Sequence, residues 1–307
     1  MTKTLITGGY GLVGQYLQEV MPDFNYLSSA EYDLTSEPDV EEMFYLYQPK
    51  IVIHLAAKVG GIQDNTSNPT KYLEDNILMN TLILKHAHAY GVDRFIGMLS
   101  SCIYPEQVKQ YPMTEDMLYQ GPAPQSNFAY AMAKRAMAAQ IDAYRQQYNK
   151  KYSYLIPSNL YGIYDKYEPH NSHFVASLLR KIYEAEDEIE LWGDGTPLRQ
   201  FMYAGDLAKV IKYVILKDVN ENMNVGSSEN YSIKKIANIA IRACGKPHLK
   251  IKFNGMLGGQ HRKDISNSKL HTFCNTPFPI FLTSLESGIK HTYDQMKEKW
   301  DNDKTNK

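Results

Sequence analysis

Tyr130 and Lys134 occupy positions i and i+4 of a segment with a helical pattern, so both side chains lie on one face, about one turn apart. A lysine ammonium beside a phenol stabilises the phenolate and lowers the tyrosine pKa, which allows proton exchange with a substrate oxygen near neutral pH. The hydroxyl of Ser100 is suited to hold the same oxygen. Because the chain has 24 tyrosines, an ordinary surface pair is the alternative. The combination with Ser100 favours proton-transfer chemistry.

A glycine-rich loop lies near the start of the chain, where residues 7–14 read TGGYGLVG. Gly8 is suited to a tight turn, Gly11 to the approach of a pyrophosphate to backbone N–H groups, and Gly14 to close packing of the following helix on the sheet. The spacing is GxxGxxG rather than GxGxxG, and a simple turn is the alternative. A strand pattern before the loop and a helix pattern after it favour dinucleotide binding.

The end of the second predicted strand, near residues 26–27, is where an acidic side chain would hold the ribose of NAD. Ser28 and Ser29 stand there instead, with Glu31 and Asp33 further along. Two hydroxyls can hydrogen-bond a 2′-phosphate. The sequence therefore favours NADP(H) as the cofactor, although no Arg or Lys adjoins the two serines.

The elements that must position these groups alternate over the first half of the chain. Short apolar runs predict strands at residues 4–7, 51–55, 94–99 and 152–156. Helical patterns cover residues 12–21, 37–48, 71–90 and 130–148. This alternation predicts an α/β fold, a Rossmann-like doubly wound parallel sheet covered on both faces. Ser100 then follows the fourth strand at the carboxyl edge, where such sheets bind ligands.

Beyond Pro157 the elements become shorter, with Gly, Pro, Asn and His between them. We expect residues 1–160 to form an NADP(H)-binding domain, to which a segment near 197–220 returns, with a helix over 201–216. Residues 161–307 are expected to form mainly a smaller α/β substrate-binding lobe. The site is predicted between the two.

Composition excludes several other classes of protein. The 307 residues carry 33 Lys+Arg and 34 Asp+Glu, a formal net charge of -1, which favours neither nucleic acid nor an acidic membrane surface as a partner. No apolar run approaches the ~18 residues of a membrane span, so a cytoplasmic protein is expected. Cys102, Cys244 and Cys274 form no CxxC pair, and no metal site is predicted.

Further motifs carry a resemblance to a known family. They are residues 55–61 (LAAKVGG), 100–105 (SSCIYP), 130–134 (YAMAK), 157–162 (PSNLYG), 171–173 (NSH), 192–199 (WGDGTPLR) and 224–226 (NVG). With the glycine loop, they resemble the extended short-chain dehydrogenase/reductases. More narrowly, they resemble the GDP-L-fucose synthase family, which are GDP-4-keto-6-deoxymannose 3,5-epimerase/4-reductases and have GDP-heptose reductases as relatives. The resemblance covers almost the whole chain.

The resemblance implies roles for individual residues. Cys102 and His173 would act as base and acid at the carbons flanking a 4-keto group, and Tyr130, with Lys134 and Ser100, would protonate O4 during reduction. Taken without the resemblance, Cys102 is typical of a small buried apolar residue and His173 of a hydrogen-bonded polar residue. The residues expected at the cofactor are Gly8, Gly9, Tyr10, Gly11, Leu12, Val13, Gly14, Ser28, Ser29, Asp33, Leu34, Leu55, Ala56, Ala57, Lys58, Lys134, Pro157, Asn159, Leu160 and His173. Those expected at the sugar nucleotide are Ser101, Asn159, Lys181, Trp192, Arg199 and Lys263.

Two positions depart from the family pattern. Lys181 stands where some members carry an arginine, and Gly258 stands where several have an acidic residue before Gly259. Both lie on the nucleotide-sugar side and suggest an altered sugar. The resemblance also implies a homodimer through residues 71–90 and 130–148.

The sequence thus predicts an NADPH-dependent 4-reductase of a GDP-4-keto sugar, either a 6-deoxyhexose or a heptose, with or without C3/C5 epimerisation. Its product would serve capsule or surface-polysaccharide synthesis. An NAD-dependent 4-epimerase or 4,6-dehydratase is an alternative. The dehydratase is disfavoured because Cys102 and Ile103 occupy the place of its acid. A cofactor-sensing binding protein is the non-enzymatic alternative, and the retained Tyr130 and Lys134 argue against it.

Overall fold

The computed structural model describes residues 3–168, 172–255, 260–274 and 282–305. Its strands are β1 (Thr4–Thr7), β2 (Asn25–Leu27), β3 (Ile51–His54), β4 (Arg94–Met98), β5 (Lys151–Pro157), β6 (Asn159–Tyr161), β7 (Glu188–Leu191), β8 (Leu198–Tyr203), β9 (Met223–Val225), β10 (Asn230–Ser232), β11 (Lys250–Phe253) and β12 (Arg262–Lys263). Its helices are α1 (Leu12–Val20), α2 (Glu37–Tyr47), α3 (Ile62–Ser67), α4 (Pro69–Ala89), α5 (Phe128–Tyr148), α6 (Phe174–Glu184), α7 (Ala204–Leu216), α8 (Ile233–Ala243), α9 (Ser268–Cys274) and α10 (Leu285–Thr305).

The main sheet has the strand order β2-β1-β3-β4-β5-β9, and every neighbouring pair is parallel. The chain runs from β1 outward to β2 and then crosses back to β3 on the other side of β1. A crevice therefore opens at the carboxyl ends of β1 and β3, which is where open α/β sheets bind ligands. This arrangement confirms the predicted fold class.

Alternate residues of the strands pack against helices on opposite faces of the sheet. On one face, Leu5, Val52 and Phe95 belong to the core with α2, α4 and α5. On the other face, Ile6 and Ile53 belong to the core with α1 and α7. Each side chain is buried, and burial of one such side chain stabilises the fold by roughly 1.5–3 kcal/mol. Strands that are apolar on both faces account for the continuous apolar runs in the sequence.

The predicted elements of the first half agree with the observed bounds to within two residues at each end. The prediction of a helix over residues 201–216 was wrong at its start. Phe201 and Met202 lie in β8, paired with β6, and α7 begins at Ala204. The apolar residues of a buried strand can also fit a helical period of 3.6 residues, so their spacing does not show where a strand ends and an adjoining helix begins.

Smaller sheets and helices form the second core. In the described ranges, β8 pairs with β10, β12 and β6, while β7 pairs with β11. Leu179 of α6, Ile236 of α8 and Ile289 of α10 are buried in the same cluster. No helix in the described part of the chain is long and apolar enough to cross a membrane.

Candidate functional site

A cavity of about 1600 Å³ opens above the carboxyl ends of the main strands and continues to the smaller sheets. Most of the residues predicted for the site line this cavity. Gly9, Ser101 and Cys102 do not. The predicted residues on its wall are Gly8, Tyr10, Gly11, Leu12, Val13, Gly14, Ser28, Ser29, Asp33, Leu34, Leu55, Ala56, Ala57, Lys58, Ser100, Tyr130, Lys134, Pro157, Asn159, Leu160, His173, Lys181, Trp192, Arg199 and Lys263.

The glycine loop forms one end of the cavity and has the shape of a phosphate cradle. Gly8 has φ +69°, and a Cβ there would lie 2.7 Å from the Ala56 amide nitrogen. A Cβ on Gly14 would lie 2.3 Å from the Gly9 carbonyl oxygen. Gly14 therefore packs on the loop itself rather than on the sheet. Because these glycines have no side chains, the loop folds closely on itself and the N-terminus of α1 stays open to the cavity. An open helix N-terminus suits the pyrophosphate of a dinucleotide.

Tyr130 and Lys134 lie on α5 and line the cavity. The Lys134 ammonium nitrogen donates to the Met98 carbonyl oxygen at 2.8 Å and lies 5.8 Å from the centroid of the Tyr130 ring. Burial lowers the pKa of Lys134 to about 8. Burial also raises the pKa of Tyr130, and a charge on Cys102 raises it further. The expectation that Lys134 lowers the Tyr130 pKa is therefore not met in this geometry, because desolvation dominates.

Ser100 and Cys102 belong to the short 3-10 turn that follows β4. The Ser100 hydroxyl oxygen accepts from the Cys102 amide at 3.4 Å and caps this turn. Cys102 is only 2% exposed and packs with Ala123 and Ala131 beside Tyr130. The thiol thus lies behind the cavity wall, whereas the Ser100 side chain lies on it.

Arg135 holds the turn that contains Cys102. Its guanidinium donates to the Ile103 carbonyl oxygen at 2.6 Å and to the Gly121 carbonyl oxygen at 2.8 Å. Because Arg135 follows Lys134 directly in α5, one helix fixes both the lysine in the cavity and the turn behind it.

His173 precedes α6 and lines the opposite wall. Its Nδ1 lies 2.9 Å from Oδ1 of Asp165, whose side chain is buried. The hydrogen bond to Asp165 raises the pKa of His173, and this outweighs the opposing effect of burial. Sequence analysis missed Asp165, since it lies in a loop and is linked to His173 by no periodic spacing. The signal that could have found Asp165 is its position eight residues before His173, the histidine predicted to act as an acid.

Arg199 and Lys263 form the cationic part of the cavity. They are directly paired across β8 and β12, so their side chains lie on one face of the small sheet. Burial lowers the pKa of both groups. For Lys263 a charge on Cys102 opposes this effect, and Arg199 adds to it. Two adjacent, partly desolvated cations match a diphosphate.

The other predicted sugar-nucleotide residues lie near this pair. Trp192 is 57% exposed and offers a flat apolar surface, while the Lys181 ammonium donates to the Glu190 carbonyl oxygen at 2.7 Å. Lys166 and Gln260 also line the cavity and were not predicted. Asn171, Gly258 and Gly259 lie outside the described residues.

The chain is similar to a known family and to several known proteins over most of its length. Residues 4–226 match the family described as "NAD dependent epimerase/dehydratase family". A probable GDP-L-fucose synthase of Drosophila melanogaster is 32% identical over 97% of this chain and 100% of that protein. A GDP-L-colitose synthase of Yersinia pseudotuberculosis is 33% identical over 98% of this chain and 100% of that protein. A GDP-L-fucose synthetase from Naegleria fowleri, solved bound to NADP, superposes with a TM-score of 0.87 at 30% identity, covering 98% of this chain and 94% of that one.

Proposed function

Because this chain belongs to the NAD dependent epimerase/dehydratase family, we propose that it is an NADPH-dependent 4-reductase of a GDP-linked 4-keto sugar. The observation that carries the proposal is the shared cavity wall. Ser100, Tyr130 and Lys134 lie on it together with His173 and the Arg199–Lys263 pair. A carbonyl-reducing centre is thus joined to a site for a nucleotide diphosphate.

The cradle at Gly8 and Gly14 fits a dinucleotide, and NADP bound to the Naegleria relative supports NADP(H) as the cofactor. When bound, the reduced nicotinamide supplies the hydride that reduces C4. We assign Lys134 to a hydrogen bond with the nicotinamide ribose and Pro157 to Leu160 to the lining of the ring, and all of them lie on the wall of the cavity. The remaining chemistry, which is proton transfer and orientation, belongs to side chains of this chain.

Tyr130 is assigned the proton donor to O4. Its raised pKa keeps the phenol protonated at neutral pH, which is the form that a reductase needs before hydride arrives. Once the proton has left, the neighbouring Lys134 ammonium stabilises the phenolate. The Ser100 hydroxyl donates to the same carbonyl oxygen and fixes its position.

The GDP part of the substrate is assigned to the C-terminal lobe. Arg199 can bind the diphosphate through two parallel N–H donors, and Lys263 supplies a point charge beside it. Trp192 offers a surface for the guanine base. The named relatives are synthases of GDP-L-fucose and GDP-L-colitose, which supports a GDP-linked sugar as the substrate.

Epimerisation at C3 and C5 would require two proton-transfer groups at the sugar. His173 lines the cavity as the acid, whereas Cys102, the proposed base, lies behind the wall. This placement favours 4-reduction as the primary activity, with epimerisation dependent on movement of the Cys102 turn. The product would be an activated GDP-sugar for capsule or surface-polysaccharide synthesis, made in the cytoplasm.

Homodimerisation is proposed through α4 and α5, which pack against each other. Ile77 and Leu78 on α4 and Phe128 and Tyr148 on α5 are exposed apolar side chains. A second copy would cover such side chains. Sedimentation at micromolar concentration tests this proposal, and a chain that stays monomeric would refute it.

Turnover is tested by NADPH oxidation with GDP-4-keto-6-deoxymannose and, separately, a GDP-4-keto heptose. We expect oxidation with one of them, and no turnover with either would refute the proposal.

Tyr130→Phe should reduce kcat by at least about 100-fold, because general acid catalysis contributes on that order. Tyr45→Phe, at a 67% exposed position, is the matched control.

In deuterated water, solvent deuterium at C3 and C5 of the product reports epimerisation, and its absence indicates reduction alone.

A further inference from the structure

One stretch of the chain that forms the dinucleotide end of the cavity carries only negative charge. Between Thr4 and Pro49 there is no Lys, Arg or His. The stretch contains β1, the glycine loop, α1, β2 and α2. Its acidic residues are Glu19, Asp23, Glu31, Asp33, Glu37, Asp39, Glu41 and Glu42. This imbalance contrasts with the nearly neutral chain as a whole.

Glu31 brings one of these charges to the end of β2. The Ser28 amide nitrogen donates to Oε2 of Glu31 at 2.8 Å, and the Ser28 hydroxyl donates to the same oxygen at 2.9 Å. Ser28 and Ser29 line the cavity. The Ser28 hydroxyl is therefore engaged by a carboxylate in the place where it was expected to bind a phosphate.

Asp33 adds a second fixed charge on the cavity wall. Its Oδ1 accepts from the Thr35 amide and hydroxyl at 2.9 and 2.7 Å, and these bonds lower the Asp33 pKa. Among the described residues on the wall, every Lys and Arg comes from position 58 or later. Lys58 lines the cavity beyond the end of β3, and Lys85 pairs with Glu37.

The position of Glu31 has a clear chemical meaning for a dinucleotide. A carboxylate at the end of the second strand accepts a hydrogen bond from the ribose 2′-hydroxyl of NAD, whereas NADP sites place an arginine nearby for the 2′-phosphate. An ionised carboxylate only accepts hydrogen bonds. Oε1 of Glu31 can thus accept from a ribose hydroxyl, while a phosphate in the same place meets like charge.

We propose that Glu31 makes the adenosine end of this cavity selective for an unphosphorylated ribose, so that NADH serves beside NADPH and binds at least as tightly. The inference rests on the proposed function, because it takes the same cavity as the cofactor site. It concerns the adenosine end alone and leaves the chemistry at C4 unchanged.

Calorimetric titration of the full chain with NADH and with NADPH, at low salt and without sugar, tests the proposal. We expect the Kd for NADH to be equal to or lower than that for NADPH. Glu31→Gln removes the charge and keeps the shape, and should shift the ratio of the two Kd values toward NADPH by about tenfold. Glu41→Gln removes an exposed charge from α2 of the same stretch, and should leave the ratio unchanged.

A wild-type chain that binds NADPH more tightly than NADH would overturn the inference, as would a Glu31→Gln ratio equal to that of Glu41→Gln. Thermal unfolding with a second variant, Glu31→Ala, checks that the change acts on binding rather than on folding. The titration contains no sugar, so its result does not depend on turnover. A chain that binds NADH here but reduces no GDP-4-keto sugar in the turnover assay contradicts the proposed function and leaves this inference intact. Binding of neither dinucleotide overturns both.

Discussion

Oδ1 of Asp165 lies 2.9 Å from Nδ1 of His173, and this contact fixes how the histidine can exchange protons. An ionised carboxylate can only accept, so Nδ1 carries the hydrogen in both charge states of the ring. Nε2 is then the nitrogen that gains or loses a proton toward a ligand in the cavity. Lys166 contributes to the arrangement, because its amide donates to the same Oδ1 at 2.8 Å and holds the carboxylate in place.

Replacing Asp165 by Asn should lower the pKa of His173, because the hydrogen bond to a carboxylate and the charge that favours the imidazolium are removed. Because the pKa of His173 is higher in the folded state than in the unfolded state, the Asp165–His173 contact contributes its full stabilisation at pH values below the unfolded-state pKa of 6.5. This stabilisation disappears as pH rises through the folded pKa. Histidine NMR titration measures both the pKa and the tautomer without any substrate.

The matched control for this prediction is Asp187→Asn at an exposed position, which should leave the His173 titration unchanged. Asp165→Glu should restore part of the shift. An unchanged His173 pKa in Asp165→Asn would show that the carboxylate has no positioning role.

Lys134 is buried with a single carbonyl partner, and its pKa of about 8 lies below the free value of 10.5. The unfolded state therefore binds more protons between those values, and this group's contribution to stability rises with pH across that window. Lys134→Met should be inactive and yet more stable than the wild type by about 1–3 kcal/mol at pH 7. The difference should become smaller at pH 9.5.

Urea unfolding at the two pH values measures this difference in the free energy of unfolding. Lys71→Met, at an exposed position on α4, serves as control and should show no comparable gain. If the gain for Lys134→Met were the same at both pH values, it would come from packing rather than from relief of a buried charge.

The sheet, the glycine loop and the position of Ser100 could be predicted from local signals in the sequence, whereas most of the other residues on the cavity wall were predicted from the family resemblance. The apolar runs of β1, β3, β4 and β5 alternate with helical patterns, and topology then brings the glycine loop and Ser100 to one edge. The sequence could not decide between a buried packing role and a catalytic role for Cys102, since Ala123 and Ala131 reach it from distant parts of the chain. The raised Tyr130 pKa was missed for the same reason: desolvation depends on tertiary packing, whereas the sequence displayed only the adjacent lysine.

Gly14 provides a test of the loop geometry. A Cβ at this position would lie 2.3 Å from the Gly9 carbonyl oxygen and 2.5 Å from the Gly9 carbonyl carbon, which are backbone atoms and cannot swing aside. Gly14→Ala should therefore reduce stability by about 1–3 kcal/mol and weaken dinucleotide binding. Gly61→Ala, where a Cβ would meet nothing within 4 Å, should be close to neutral in thermal unfolding. Equal melting temperatures for the two variants would contradict this account of the loop.

Arg199 and Lys263 allow the nucleotide site to be tested with GDP alone. Both are half-buried and face the cavity from paired positions. Arg199→Met should raise the Kd for GDP by about 10- to 100-fold, since a charge-assisted bidentate contact is lost. Arg199→Lys should recover only part of this loss, because an ammonium lacks the planar fork.

Arg262 supplies the control for the nucleotide site. It neighbours Lys263 in β12, yet alternation along a strand turns its side chain to the other face. There its Nε lies 2.7 Å from Asp264 Oδ1 and its guanidinium lies over the Tyr111 ring. Arg262→Met should change the Kd for GDP by less than about twofold, although losing the pair with Asp264 lowers stability. A comparable loss of GDP affinity in Arg262→Met and Arg199→Met would show that overall positive charge, rather than the paired positions on β8 and β12, binds the diphosphate.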